Sequence, residues 1–538
     1  MGFFVSSQRF KPDRSTIHPS ARPERRAPVD LPSLTCKEGT TMATLYFPTF
    51  LRRMTDGQAQ VEVTADELGA LVTEVSERFP DLRVHLVDET GRLRPYVRFF
   101  VNGQDARALQ GLATPLQPED KVTLVPAVAG GATAKASILP LLPSIRRHTL
   151  YGLLATVGAL LVLLVYARIS TSLAIFWTFG LAFGFVVQRS RFCFTSAFRD
   201  LFLLQDGRLM KGVIIGLAIA TVGFTLIMYK AVPDPTQGMA GNVYPTGWHT
   251  LLGGLLFGTG MVVAGGCASG TLYRMGEGYV AQWVALLGMI VGSFVLALHW
   301  EWWWPNVVSR QPKFWFPRTL GWGPALVLTL VVLFGFYLLI VWWESRAGGI
   351  STWEEPTGPI RTFADRLRVG WQQVFVRAWP AAAGGLALGV LNIFEYLYKK
   401  PWGITTAVSR WSGWIAYALG YPAQNLLYFG DKPAGKQLLS HIPWLSGGTL
   451  LDWGLIFGAF TAALLAGEFK LRFPRRRYRY LQTFSGGLLM GYGARLAMGC
   501  NIGGFFSAIP SLALNGWVFG LGLVGGAWIG VQIIRRLP

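Results

Sequence analysis

Apolar runs dominate the chain from residue 149 onward. Residues 151–167, 169–188, 212–229, 280–298 and 319–343 carry no charge and are 17, 20, 18, 19 and 25 residues long. A helix needs about 20 apolar residues to cross the hydrocarbon core of a bilayer, so each run predicts a span. The second half offers Trp379–Phe394, Trp411–Gly430, Trp453–Gly467 and Leu481–Ala494, then a 39-residue uncharged stretch, Leu496–Ile534. Several runs are short or interrupted by glycine. The pattern predicts about nine to eleven membrane segments, some of them only half-spanning.

The pattern differs upstream. Residues 1–41 are polar, basic and rich in Ser and Pro, without the apolar core of a signal peptide. They read as a disordered or mis-assigned extension, with Met42 a candidate start. Residues 42–131 predict a small α+β domain. TLYFPTF and QVEVT read as a hairpin, and DELGALVTEVSERF as a helix with Leu68, Leu71, Val72, Val75 and Phe79 on one stripe. Thr64 is the expected N-cap, with Glu67 as its capping-box partner. YVRFFVNG reads as a strand entering an Asn102-Gly103 turn, and KVTLVPAV as a final strand. Residues 132–148 read as a basic linker and 149–538 as the membrane domain.

Composition agrees: 51% of residues are hydrophobic and 14% charged, against about 25% charged in soluble proteins. The 64 glycines suit membrane helices that approach closely. A formal charge of +20 would suggest nucleic acid in a soluble chain, but much of it lies in segments such as RRH (146–148) and RFPRRRYR (472–479). Lys and Arg concentrate on the cytoplasmic side of membrane proteins. Placing Lys135, Arg146 and Arg147, the loop after Trp343, and residues 472–479 inside predicts a multi-pass protein of the plasma (inner) membrane. Its N-terminal domain and C-terminus are then cytoplasmic, and its surroundings are lipid. No nucleic-acid partner is expected. Basic mouths would also draw in an anionic solute.

Four polar stretches break the apolar pattern: QRSRFCFTSAFRD (188–200), AGGCASGTLYRMGEG (264–278), KPWGITTA (400–407) and GARLAMGCNIGG (493–504). They pair loosely, two per half, and predict an internal repeat. Cys193 and Cys267 fall in the first half, with Gly403 and Cys500 in comparable places in the second. Unwound backbone is tolerated at membrane depth only where protein or a polar cavity satisfies it. The stretches therefore read as tips of re-entrant half-helices, whose free N–H groups favour anions. Thr195, Ser196, Ser269, Thr271 and Asn501 can add hydroxyl or amide contacts. The thiols of Cys193, Cys267 and Cys500 are soft, weak donors suited to a sulfur-bearing solute; the competing reading is three small buried hydrophobes. Arg189, Arg191 and Arg495 either draw an anion inward or anchor helices at the interface. Glu277 is expected to pair with Arg274. The cysteines show neither a CxxC pair nor metal-ligand spacing, and GxxxxGK[ST] is absent. No metal, cofactor or catalytic residue is expected.

Two resemblances sharpen this. RFCFTSAFRD, GGCASGTLYRMGEG and MGCNIGG resemble the signature segments of the YeeE/YedE family of thiosulfate and sulfur-compound transporters. The resemblance implies an hourglass of full and half helices whose inward-facing cysteines, here Cys193, Cys267 and Cys500, pass thiosulfate by transient S–H···S contacts. The N-terminal domain, ending TPLQPEDKVTLVPAVAGG, resembles the ubiquitin-like (β-grasp) sulfur carriers of the MoaD/ThiS family. There a terminal glycine pair, here Gly130 and Gly131, is activated and converted to a thiocarboxylate. This chain continues past Gly131, a departure from that pattern. Together the resemblances imply thiosulfate import into the cytoplasm linked to sulfur assimilation, with carrier-activating or sulfurtransferase enzymes as partners. The alternatives are another small sulfur or selenium anion, or a membrane sulfurtransferase working through cysteine persulfides.

Overall fold

The structure, a computed structural model, describes residues 42–47, 55, 58, 60–80, 82, 86, 97–102, 104–106, 109–126, 147–345, 371–430, 443–474 and 476–536. The 1–41 extension, Gly103, Gly130, Gly131 and the linker up to residue 146 lie outside the described residues.

In the N-terminal domain the elements are β1 (Met42–Tyr46), β2 (Gln60–Thr64), α1 (Leu68–Arg78), β3 (Val97–Val101), β4 (Gln104–Asp105) and β5 (Lys121–Pro126). The sheet order is β2-β1-β5-β3-β4. β1 and β5 are parallel and the other pairs antiparallel. The expected helical stripe is buried, and Leu68, Leu71, Val72, Val75 and Phe79 share one core with Leu45, Val63 and Leu124. The expected capping box does not form. Thr64 is held in β2 opposite Met42, and Glu67 occupies the cap position without a side-chain cap bond. The Leu68 N–H instead donates to the Thr114 carbonyl at 3.0 Å. Asn102 takes the left-handed conformation, φ 51°. Its side-chain oxygen accepts from the Lys121 N–H at 2.9 Å and its amide donates to Asp120 at 2.7 Å, fastening the end of β3 to the start of β5.

The membrane region comprises α2 (Arg147–Ile169), α3 (Thr171–Ser190), α4 (Phe194–Leu203), α5 (Arg208–Ala231), α6 (Trp248–Ala264), α7 (Ala268–Gly276), α8 (Val280–Asn306), α9 (Phe316–Leu320), α10 (Trp322–Ser345), α11 (Ala381–Tyr398), α12 (Thr405–Ala418), α13 (Gly447–Leu465), α14 (Tyr478–Leu496) and α15 (Leu514–Arg536). A π-helical turn, Asn501–Phe506, joins the last two. Among the described residues nine segments are long and apolar enough to cross a membrane. The Trp411–Gly430 and Leu481–Ala494 runs are not among them: α12 covers only the first part of the former and is 14 residues long, and α14, which holds the latter, is not apolar enough. A span that the uncharged runs missed begins at Trp248.

Glycine sets how closely these helices approach. A Cβ on Gly184 of α3 would lie 2.1 Å from the Leu455 carbonyl of α13, and one on Gly385 of α11 would lie 1.9 Å from the Gly212 carbonyl of α5. Lipid offers no hydrophobic drive to pair helices, so such backbone-to-backbone contact is what holds them together. α2 and α10 are peripheral, with exposed Leu154, Leu164, Val331 and Phe334 that suit lipid.

Candidate functional site

Each cysteine follows the same corner. α3 stops at Ser190, and Arg191 turns left-handed, φ 50°. The Phe192 N–H then donates back to the Val187 carbonyl at 3.0 Å. α6 stops in the same way at left-handed Gly265, φ 74°, with Gly266 donating to Met261 at 3.1 Å. After α14, Met498 has φ 60°, and Gly499 donates to Ala494 at 2.8 Å. These are Schellman-type stops, which satisfy the last helical carbonyls. Two residues beyond each left-handed position stands an extended cysteine, Cys193, Cys267 or Cys500, that opens the next helical segment. The fourth break differs: Ile404 precedes α12.

All three thiols are buried. Cys193 and Cys267 lie side by side across Gly270. A Cβ there would be 3.0 Å from one sulfur and 3.1 Å from the other, so the sulfurs are at most about 6 Å apart. The Cys267 sulfur accepts the Gly270 N–H at 3.3 Å and is 3.5 Å from the Ser269 hydroxyl. Thr195, in the first turn after Cys193, is fully buried, and its hydroxyl has no hydrogen-bond partner within the protein.

Cys500 lies elsewhere, in a small polar cavity with Tyr244, Lys400, Gly403, Thr406 and Gly503 on its walls. Gly403 and Cys500 thus line one cavity, while Cys193 and Cys267 share another position. Arg495 is buried behind the first. It donates to the Thr406 hydroxyl at 3.2 Å while its Nε has no partner. Burial pushes the Tyr244 phenol up from its ordinary pKa. The side-chain amide of Asn501 is buried without a partner for either atom. Glycine contacts fix the vertical order: Gly493, near the Cys500 end of α14, meets Gly253, whereas Gly486 meets Ala264, at the Cys267 end of α6. That stretch of α6 rises roughly 16 Å at 1.5 Å per residue. Aromatic rings next to the two thiol positions touch each other. Phe194 meets Phe506 edge-on at 5.4 Å, and Phe183 stacks on Trp402 at 3.8 Å.

An ionic cluster lies just before the Cys193 corner. Arg189, fully buried, pairs with Glu468 at 2.7 Å and donates to Gln188 and to the Phe375 and Val376 carbonyls. Arg191 pairs with the other oxygen of Glu468 at 2.9 Å. The expected Glu277–Arg274 pair makes no direct ion pair among the described residues, although the two charges stand within electrostatic reach of each other. Glu277 accepts from the Gln188 amide at 3.2 Å, and Arg274 donates to the Gly265 carbonyl and the Tyr273 hydroxyl. The C-terminal stop of α6 offers that carbonyl directly, which draws the guanidinium away from the carboxylate.

Sequence reasoning missed Glu468, Trp402, Glu395 and Asp452. The last two are buried inside α11 and α13. The uncharged runs stopped one residue before Glu395 and began one residue after Asp452, so a charge flanking an apolar run was the available signal.

Among the described residues no group of three or more His, Cys, Asp or Glu could hold a metal ion. Residues 189–529 match the family described as "Sulphur transport", and residues 45–131 match the ThiS family. The chain is 32% identical to the thiosulfate transporter TsuA of Spirochaeta thermophila, an alignment covering 66% of this chain and 97% of that one. It is 29% identical to TsuA of Escherichia coli, over 67% and 94%. Its N-terminal part is 39% identical to the sulfur carrier protein CysO of Mycobacterium tuberculosis, over 16% of this chain and 97% of that one. The chain therefore belongs to the YeeE/YedE family of sulfur-compound transporters, a transport family rather than an enzyme family, with a ThiS/MoaD-like ubiquitin-fold domain fused at its N-terminus.

Proposed function

We propose that the membrane domain, residues 149–538, imports thiosulfate into the cytoplasm along a path of cysteine thiols, and that the carrier domain, residues 42–131, joined by the 132–148 linker, links import to sulfur assimilation. With residues 472–479 inside, α14 runs outward and puts Cys500 at the outer mouth, while α3 and α6 run inward and put Cys193 and Cys267 near the cytoplasm. The N-terminal domain and C-terminus are then cytoplasmic. The three left-handed corners are copies of one re-entrant motif, and the fourth break at Gly403 is its cysteine-free member, so the domain is an internal repeat of half-helices.

One observation carries the reading most: the thiols stand with buried polar atoms that the protein leaves unpartnered, Thr195 Oγ1, Asn501 and Arg495 Nε. A buried donor without a partner costs about 1–3 kcal/mol, a cost a binding site for an anion explains. The solute enters at Lys400, Thr406 and Cys500, helped by Arg495. It crosses the aromatic constriction past Asn501 and reaches Thr195, Cys193, Ser269 and Cys267, leaving through the Arg189–Arg191–Glu468 cluster when that opens. Weak S–H donors hold a sulfur anion without trapping it. At the inner face, released sulfur meets a tethered carrier at high effective concentration, with Gly130 and Gly131 as the carrier tail and carrier-activating or sulfurtransferase enzymes as partners. Uptake of labelled thiosulfate into proteoliposomes, with sulfate, sulfite and selenite as competitors, tests the solute. Preferential displacement by unlabelled thiosulfate is expected; equal displacement by sulfate contradicts it.

A further inference from the structure

Asp452 lies within the α13 span, fully buried, and neither carboxyl oxygen has a hydrogen-bond partner. Glu395 lies within the α11 span, also buried, with its Oε2 unpartnered. Both stand within electrostatic reach of Lys400, on the wall of the Cys500 cavity, and of each other, and Asp452 is within reach of Cys500. Neither forms an ion pair among the described residues. Ionisable side chains in membrane spans are rare, costly and normally functional. Both oxygens of Asp452 and one of Glu395 are left without a partner beside a lysine of the cavity wall, and among the described residues neither carboxyl bridges to a cation.

We propose that Asp452 and Glu395 are a proton-binding pair that couples anion import to proton entry. The proposal rests on the thiosulfate reading above. Thiosulfate is a dianion, and an interior-negative potential opposes each charge by ~50-fold per 100 mV at equilibrium. Two carboxyls, each neutral when protonated, carry two protons per dianion and make the step electroneutral. The protons bind from the outer cavity when the anion occupies it, and leave when the inner end opens. No bond other than O–H forms or breaks. A proton suits this pair better than a metal cation, because a lone proton needs one oxygen, whereas Na⁺ needs a shell of them.

Of the other charged and titratable groups on elements packed against the pair, α11 itself adds Tyr396 and Tyr398, and α5 carries Tyr229 and Lys230 near its C-terminal end. The loop after α11 supplies Lys399 and Lys400, α12 supplies Arg410, and the corner after α14 supplies Cys500. α2 offers Tyr166 and Arg168 at its end near Trp444. α3 is apolar from Leu173 to Val187 apart from Thr178. α7 meets α13 through Gly276 and Ile456, one helical turn beyond Asp452, and carries Tyr273 and Arg274.

The test uses the full chain in proteoliposomes. An inward proton gradient of one pH unit should raise thiosulfate accumulation tenfold or more, about a hundredfold at equilibrium for two protons. Added thiosulfate should acidify the lumen. Asp452→Asn and Glu395→Gln should lose the gradient-driven accumulation yet keep thiosulfate counterflow, which needs no net proton movement and also reports folding. Counterflow with no response to pH, or accumulation driven by Na⁺ instead, overturns the proposal. If the wild type shows no counterflow, the thiosulfate reading fails separately, and infrared spectroscopy of the purified protein decides the proton site. A protonated-carboxyl C=O band at neutral pH should be lost in Asp452→Asn or Glu395→Gln; a band unchanged in both overturns it.

Discussion

Gly270 is the residue on which the paired thiols depend. Its missing side chain leaves the space in which the Cys193 and Cys267 sulfurs face each other, and its N–H donates to Cys267. Gly270→Ala should place a methyl against both sulfurs and slow thiosulfate uptake roughly tenfold, equivalent to ~1.4 kcal/mol, while both cysteines remain titratable in detergent. Uptake at the wild-type rate would show that the solute does not pass between them. Asn501 and Thr195 should behave differently, because each offers an unpartnered polar atom rather than space. Asn501→Leu removes two unsatisfied atoms and should raise thermal stability slightly, since apolar replacement of an unpaired buried group can stabilise, but should cost uptake. A loss of stability in that variant would mean the amide serves packing instead of the solute.

At the scale of elements, close helix contact and the three corners do different work. α11 and α5 touch backbone to backbone at Gly385 and Gly212, where a Cβ would sit 1.9 Å from a carbonyl oxygen. Gly385→Leu should destabilise by about 1–3 kcal/mol or more through overpacking, read as a lower melting temperature in detergent. An unchanged melting temperature would show that the helices separate freely there. Much of this level was legible in the sequence. Uncharged runs marked most of the spans, and glycine with cysteine marked the breaks. The left-handed corners were not, because Arg191 and Met498 occupy two of them, and nothing in those side chains announces a positive φ. The capping box was misread at Thr64 because a strand competed for the same residue, and pairing to Met42 won. Asp452 and Glu395 escaped because searching for uncharged runs trims away the charges that a helix carries inward.

On the scale of the whole molecule, a carrier-like domain and a transport domain share one chain. If the fusion serves handover, deleting residues 42–131 should leave uptake into proteoliposomes within about twofold of the full chain, since the proposed path lies in the membrane domain. The same deletion should slow growth of cells given thiosulfate as sole sulfur source, because the tether's effective concentration is lost. Equal growth would remove the handover while sparing the transport. The orientation that places Cys500 outside carries its own consequence: a membrane-impermeant thiol reagent added outside should react with Cys500 before Cys193 or Cys267.

Initial rates of labelled thiosulfate uptake in proteoliposomes decide whether a sulfur anion travels by way of the buried thiols. Wild type, Cys267→Ser and Cys267→Ala are compared at equal protein and matched melting temperature. The rate should fall roughly tenfold or more for alanine and less for serine, which keeps a donor at the Gly270 corner. Wild-type rates in Cys267→Ala would contradict that route.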